Sequence, residues 1–195
     1  MARPAKFTSD EILDAALIAV RENGPAATIA QVSRVVGAPS GSIYHRFGSR
    51  EELFVSLWLR AVDRFQVGVL EAADLPDAQD ALVAGAVHVT RYCRENPAEA
   101  VALTLYRHQA LVASGPPAFA ERVRTLNVAV DAATKRLTTR RYDRSNARRR
   151  ALVLTGCRQL PYGLVRPYLG GEVPYWLDDV ARAASTAVLA LGDAG

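Results

Sequence analysis

Apolar residues recur at the spacing of an α-helix from one end of this 195-residue chain to the other. In the first such segment Ile12, Leu13 and Ala16 fall on one helical face. Nowhere is an alternation of apolar and polar residues sustained long enough to indicate a β-strand. The pattern therefore predicts an all-α protein of about nine helices.

The composition is that of a globular protein, since 50% of the residues are hydrophobic and 23% are charged. No stretch approaches the roughly 20 apolar residues that a membrane span needs. The basic residues near the N-terminus are not followed by an apolar segment, so we expect a cytoplasmic protein that does not contact membranes. Cys93 and Cys157 stand apart, with no CxxC pair or metal-ligand spacing. We expect reduced thiols, no metal and no cofactor.

Clear helix start and stop signals occupy the first 75 residues. Thr8 with Glu11, and Thr28 with Gln31, have the spacing of a capping box. Gly37 suits the left-handed position that ends a helix. Ser40 is the expected cap of a third helix, and the run Ser49 to Glu52 has capping-box spacing again. Helices are predicted over about 8–23, 29–36, 40–47 and 50–73.

Prolines and glycines also divide the remaining two thirds of the chain. Pro161 and Gly163 fall inside one of the predicted helices, and we expect a kink there. Helices are predicted over about 77–95, 98–113, 117–139, 145–168 and 174–191.

Two short predicted helices joined by Gly37-Ala38-Pro39-Ser40 have the form of a helix-turn-helix. On a helix that begins at Ser40, Ile43 and Phe47 face inward. Small residues at its N-terminal end suit entry into the DNA major groove. The outward-facing residues are Ser42, His45 and Arg46, with Tyr44 at the edge.

Charge is distributed unevenly in two places. From Asn23 to Arg50 there is no acidic residue, so a surface built there can approach phosphates without repulsion. Residues 135–150 carry eight Lys and Arg against one Asp. We interpret this second segment as a solvated loop and helix ends rather than a nucleic-acid patch.

The runs from Thr28 to Gly37 and from Ser40 to Leu53 resemble the N-terminal domain of TetR-family transcriptional regulators. The pattern Gly, Tyr-x-x-Phe, Arg-Glu-x-Leu carries the resemblance, which covers about residues 8–60. It implies an N-terminal three-helix helix-turn-helix DNA-binding domain over residues 1–50, with the start of the connecting helix. A C-terminal helical ligand-binding and dimerisation domain is expected over 51–195. The resemblance also implies a homodimer, a two-fold symmetric double-stranded DNA operator and a small-molecule effector.

Within this pattern we expect Tyr44 to contact phosphate, and Arg50 to do the same beside the start of the second helix. His45 and Arg46 are expected to face DNA, and which of them touches a base stays open. The predicted DNA-binding residues are Thr28, Ser40, Gly41, Ser42, Tyr44, His45, Arg46 and Arg50.

Aromatic residues with polar tips are the candidate ligand contacts in the otherwise aliphatic remainder of the chain. Each of them is equally compatible with a core or interface position. They are Tyr92, Tyr106, His108, Tyr162 and Trp176. We expect an effector of modest size that is mainly apolar.

A stripe of apolar residues on the last predicted helix favours dimerisation through the last two helices. The stripe consists of Leu177, Val180, Ala181, Ala184, Val188 and Leu191, and the preceding helix adds Leu152, Val153, Gly156 and Leu160.

The resemblance favours a ligand-responsive transcriptional regulator, expected to be a repressor with an activator left open, over two other classes of protein. Enzyme motifs such as Gly-x-Ser-x-Gly, a phosphate loop or His-Glu-x-x-His are not found, so we expect no enzymatic activity. A helical adaptor that binds an acidic protein partner through residues 135–150 stays open. Such an adaptor would not bind DNA with a steep salt dependence.

Overall fold

Every regular element in the computed structural model, which describes residues 7–193, is helical, as the apolar periodicity predicts. The first half contains α1 (Ser9–Asn23), α2 (Ile29–Val36), α3 (Ser40–Phe47), α4 (Arg50–Ala73), α5 (Ala78–Glu95) and α6 (Pro97–Ala102). The second half contains α7 (His108–Ser114), α8 (Ala120–Thr125), α9 (Val128–Tyr142), α10 (Ala147–Leu154), α11 (Leu160–Val165) and α12 (Leu177–Ala190). None of the helices in this range is both long enough and apolar enough to span a membrane.

The first two helices begin and end where their capping residues predict. The Thr8 hydroxyl accepts from the Glu11 amide, and the Glu11 carboxylate accepts from the Thr8 amide at 2.6 Å. Thr28 and Gln31 form the same reciprocal pair at the start of α2. Gly37 closes α2 with φ 69° and ψ 22°, the left-handed conformation that glycine adopts without strain.

The start of α3 differs from the prediction that Ser40 caps it. Pro39 occupies the cap position in an extended conformation, and Ser40 is already the first helical residue. The turn before it is closed by Ser33 of α2, whose hydroxyl donates to the Ala38 carbonyl at 2.6 Å. A side chain from the preceding helix therefore stabilises this turn.

The chain forms two compact units. The first contains the residues up to 62 together with residues 98–124, and the second contains residues 63–97 together with those from 125 onward. In the first unit, Trp58 Nε1 of α4 donates to the Leu103 carbonyl at 3.2 Å, so the segment after α6 packs beside the helix-turn-helix. Its buried core includes Ile12, Ala16, Val20, Val32, Ile43, Phe47, Leu53, Leu57 and Ala102.

In the second unit, α5 packs against α9, α11 and α12. The Tyr142 hydroxyl donates to the Leu189 carbonyl at 2.7 Å and ties the end of α9 to α12. The core here includes Ala73, Ala81, Leu82, Val83, Leu137, Val153 and Leu189.

Two predicted helices are shorter than the periodicity suggests. The segment 98–113 is divided into α6 and α7, because Leu103 and Leu105 are drawn onto the core of the first unit and the chain turns between them. The segment 117–139 begins with a 3₁₀ turn at Pro117–Phe119 and is interrupted after Thr125, while α9 extends to Tyr142.

The expected kink near Pro161 takes the form of a π-helical turn at Thr155–Gln159, directly before α11. Pro161 lacks the amide that would continue the α-helical pattern, and a π turn accommodates that loss. The Gly156 carbonyl within the turn accepts a hydrogen bond from the buried Ser185 hydroxyl of α12 at 2.7 Å.

Part of the apolar stripe proposed for dimerisation lies in the chain's own core. Leu177 and Ala181 are buried against neighbouring helices, and Val153 is buried likewise. Only Val180 and Leu191 of the stripe are exposed large side chains. The prediction that the stripe faces a second copy is therefore wrong for its buried members, because the periodicity marks a buried face without naming what covers it.

Candidate DNA-binding interface

The start of α2 is held by side chains on both sides. Gln31 bonds to Thr28 through the capping box, and its Nε2 donates to Asn23 Oδ1 at the end of α1 over 2.8 Å. Thr28 and Ala30 are exposed. The N-terminal end of α2 is thus a fixed, solvent-facing group of backbone amides.

The outer face of α3 has the arrangement that its sequence predicts. Ile43 and Phe47 are buried, whereas Tyr44 is 46% exposed. Gly41, Ser42, His45 and Arg46 are also exposed, and Ser40 is partly exposed. Small residues therefore occupy the N-terminal end of the face, and larger polar residues lie further along it.

Arg46 lies close to the start of α1. Its Nη1 is 3.4 Å from Ser9 Oγ. The pKa of Glu11 is lowered chiefly by the backbone and side-chain hydrogen bonds of Thr8, with a smaller contribution from the positive charge of Arg46. Arg46 remains exposed, so its guanidinium is open to an anion.

Acidic residues of α1 are neutralised from within the same unit. Arg60 of α4 lies 2.8 Å from Asp14 and 3.9 Å from Asp10. Residues 23–50 contain no carboxylate of their own. Residues 23–50, which include α2 and α3, therefore contribute no negative side chain to this face.

Arg50 lies beside the start of α2, as the sequence predicts, but its bonds to loop carbonyls were not expected. Its Nε and Nη2 donate to the Ala27 carbonyl at 3.0 and 2.7 Å, and Nη2 also donates to the Pro25 carbonyl at 2.7 Å. The guanidinium carbon lies 4.7 Å from the centre of the Phe54 ring. The group thus binds the backbone immediately before α2.

The basic segment 135–150 is largely engaged with its own unit. Arg141 binds both carboxylate oxygens of Asp193, at 2.7 and 2.8 Å. Arg149 donates to the carbonyls of Gly192 and Tyr142. Several of these side chains thus hold the C-terminal end of the described chain in place.

Two predicted ligand residues belong to the first unit. The Tyr106 ring lies 6.4 Å from that of Trp58 in an edge-on arrangement, and burial raises the pKa of Tyr106. His108 Nε2 lies 2.8 Å from the Val123 carbonyl. Both side chains therefore have contacts that account for their positions as packing residues.

The other three predicted ligand residues belong to the second unit and differ in their exposure. Tyr92 is buried, whereas Tyr162 is 49% exposed and Trp176 is 55% exposed. Trp176 lies edge-on to Tyr168, with 6.5 Å between ring centres.

Tyr92 belongs instead to an aromatic cluster that the sequence did not reveal. Its ring lies 5.3 Å from Phe65 and 5.5 Å from His88. A Cβ on Gly68 would collide with the His88 ring, so the glycine makes room for the histidine. The i, i+4 spacing of His88 and Tyr92 was the one available signal.

One family model matches the N-terminal part of the chain. Residues 12–57 match the model of the family described as bacterial regulatory proteins, tetR family. No curated protein matches the sequence.

Solved structures match over nearly the whole chain. The TetR family transcriptional regulator PfmR from Thermus thermophilus is 20% identical, with TM-score 0.71 over 92% of this chain and 97% of that one. The ketosteroid transcriptional regulator KstR2 of Mycobacterium tuberculosis is 19% identical, with TM-score 0.69 over 95% and 94%. The fatty acid degradation regulator FadR from Bacillus halodurans is 16% identical, with TM-score 0.68 over 93% and 98%. Residues 12–57 therefore match the tetR family model, and the fold of the whole chain is that of these solved regulator structures.

Proposed function

We propose that the protein is a ligand-responsive transcriptional repressor that binds a two-fold symmetric operator as a homodimer. The observation that carries the proposal is the outer face of α3, which combines small residues at its start with exposed Tyr44, His45 and Arg46. A recognition helix needs this combination to enter the major groove.

Each residue of this interface has a separate role in the proposal. Ser40, Gly41 and Ser42 allow close approach of the helix to the base edges. Tyr44 and the start of α2 at Thr28 contact phosphates and set the register on the duplex. His45 and Arg46 face the groove, where they read bases or bind the flanking backbone.

Dimerisation is proposed through the exposed apolar side chains of α10 and α12. Val180 and Leu191 lie outside the protomer core, as does Leu154. Binding of a two-fold symmetric operator requires that the two recognition helices of the dimer lie in successive major grooves, about 34–36 Å apart. In this arrangement residues up to 50 bind DNA, and residues from 51 onward hold the ligand and the second copy.

The effector is proposed to be a small, mainly apolar compound. The names of two proteins with the same fold refer to ketosteroids and to fatty acid degradation, which supports this class. Within the second unit, Tyr92, Tyr162 and Trp176 remain the candidate polar contacts. Because α4 is one unbroken helix from Arg50 to Ala73, a ligand that tilts it changes the separation of the two recognition helices.

DNA binding is tested with duplexes from the sequences flanking the gene, searched for an inverted repeat. Affinity should fall steeply with salt, because phosphate contacts release counterions. The His45→Ala variant should lose discrimination at one base pair by about 1–3 kcal/mol, while its affinity for random duplex stays near that of the unsubstituted protein. An unchanged preference would move base reading to Ser40, Ser42 or Arg46.

The same titration separates the repressor from the adaptor alternative. An adaptor that uses residues 135–150 would show no salt-steep duplex binding and would bind an acidic protein instead. The engagement of Arg141 and Arg149 within their own unit supports the repressor.

Ligand response is tested by linkage. A long-chain fatty acid and a ketosteroid should each be titrated against the free protein and the protein saturated with operator. An effector must bind the free form more tightly, by the same factor by which it weakens operator binding. Equal affinities for both compounds would remove support for this effector class and leave the DNA-binding assignment unchanged.

A further inference from the structure

The start of α2 and the first residue of α4 are joined by the Arg50 side chain. Ala27, whose carbonyl accepts two of its hydrogen bonds, is fully buried and directly precedes the cap residue Thr28. The third bond, to the Pro25 carbonyl, fixes the loop two residues before Ala27. We propose that Arg50 is a positioning residue for operator binding, which acts by fixing the N-terminus of α2 rather than by touching phosphate itself.

The guanidinium is held from more than one direction. Its hydrogen-bonding edge faces the two loop carbonyls, and one of its faces lies over the buried Phe54 ring. Nε and Nη2 are the atoms that donate in these three bonds. The residue is exposed and Nη1 takes part in none of these three bonds, but turning Nε or Nη2 toward a phosphate would break them.

What Arg50 holds in place is an anion-binding group. The capping box uses the amides of Thr28 and Gln31. The amides of the first two helical residues, Ile29 and Ala30, have no acceptor within a helix, and the positive end of the helix dipole lies there. Such a helix start binds phosphate when its loop is fixed in the right orientation.

The chemistry also explains why arginine is needed at this position. Its planar fork can donate to two carbonyls at once, whereas a lysine ammonium is a compact point charge on a flexible stem. A lysine could still reach a nearby phosphate, but it could not reproduce the paired bonds to Ala27 and Pro25. Arg50→Lys therefore keeps the charge and removes the positioning.

This inference rests on the proposed DNA-binding function, and its test compares Arg50→Lys with Arg50→Ala on an operator duplex over a range of salt. We expect both variants to bind about tenfold more weakly, the cost of one charge-assisted hydrogen bond to phosphate. The slope of log affinity against log salt should stay unchanged in both, because no cationic phosphate contact has been removed.

A double-variant cycle supplies the second readout. If Arg50 acts through the start of α2, Thr28→Ala and Arg50→Lys disturb the same group. The combined variant should then bind hardly more weakly than the weaker single variant, whereas independent contacts would give additive losses. The matched control is Arg34→Lys, which replaces an exposed arginine of α2 and should leave the affinity for the operator unchanged.

Circular dichroism and thermal unfolding establish that each variant is folded at the assay temperature. Retained affinity in Arg50→Lys, with a slope reduced by about 0.9 per lost contact in Arg50→Ala, would overturn the inference and make Arg50 a phosphate contact. Additive losses with Thr28→Ala would overturn it as well. If the unsubstituted protein binds no duplex, the proposed function fails, and the inference fails with it.

Discussion

Polar side chains are used in opposite ways by the α2–α3 face and by the second unit. On the α2–α3 face, Tyr44, His45 and Arg46 extend into solvent. In the second unit, Arg94 binds the two oxygens of Asp178 at 3.1 and 2.7 Å, and the buried Thr90 hydroxyl donates to the same carboxylate. One region leaves its polar groups available, and the other uses them to hold its own helices together.

The difference shows that formal charge is a poor guide to a polyanion-binding surface. Residues 135–150 contain far more basic side chains than residues 23–50. Many of the former are bonded to carbonyls and carboxylates of their own unit, whereas the latter include exposed cations with no carboxylate along the segment. Substitutions on the α2–α3 face should therefore change DNA binding, whereas those in the second unit should change stability.

The largest effect is expected for the combined Tyr44→Phe and Arg46→Ala variant. Loss of two contacts at about 1–3 kcal/mol each should weaken operator binding by roughly a thousandfold, and loss of the Tyr44 phosphate contact should weaken binding to random duplex as well. Fluorescence anisotropy on both duplexes measures this loss, and thermal unfolding serves as the control. If the double variant lost stability but kept its affinity for DNA, the α2–α3 face would not be the region that binds DNA.

Asp178→Ala should be the most damaging single substitution for stability among those considered. It leaves the Arg94 guanidinium, whose side chain is only 10% exposed, and the buried Thr90 hydroxyl without their shared acceptor. A loss of about 3 kcal/mol is expected in denaturant unfolding. The exposed neighbour Asp179→Ala is the matched control and should stay within about 0.5 kcal/mol. Equal losses of stability in Asp178→Ala and Asp179→Ala would contradict a stabilising role for the bonds from Arg94 and Thr90 to Asp178.

The same carboxylate predicts an acid-sensitive step in stability. Burial alone would raise the pKa of Asp178, but hydrogen bonds from Arg94 and Thr90 and the charge of Arg94 bring it below its ordinary value of 3.8. The stabilisation is therefore complete above that value and is lost as the pH falls toward the lower folded pKa. Asp178→Ala should lack this step.

A smaller effect is expected for Arg149→Ala, which removes hydrogen bonds to the Gly192 and Tyr142 carbonyls. Stability should fall by about 1 kcal/mol. Arg144→Ala, from the same basic segment, should cost less than about 0.5 kcal/mol. Neither variant should alter the salt dependence of duplex binding. A flatter salt dependence in either one would show that this segment contacts DNA after all.

The smallest effect is a pH dependence that originates at His88. Burial lowers the pKa of this histidine below 6.5, although the hydrogen bond to the Phe65 carbonyl and nearby glutamates oppose the shift. The unfolded chain binds a proton at this residue more readily, so stability should decline as the pH falls through 6.5. His88→Gln should reduce this decline between pH 8 and 5. An unchanged profile would exclude His88 as its origin.

Interactions over three or four residues could be read from the sequence by itself. The capping boxes at Thr8 and Thr28 and the left-handed Gly37 define the helix-turn-helix, because donor, acceptor and turn lie close together in the chain. The inward positions of Ile43 and Phe47 follow from helical geometry in the same way. Fold class and the face proposed to meet DNA were therefore accessible without coordinates.

Contacts between distant residues were decided only by the tertiary structure. Arg50 reaches Ala27 across 23 positions, and no periodicity predicts a side chain bonding to a remote carbonyl. Helical spacing showed that Leu177 and Ala181 lie on a buried face, but only packing showed that their own unit covers it. The spacing of apolar residues predicts which face of a helix is buried. Which helices cover that face depends on the path of the whole chain.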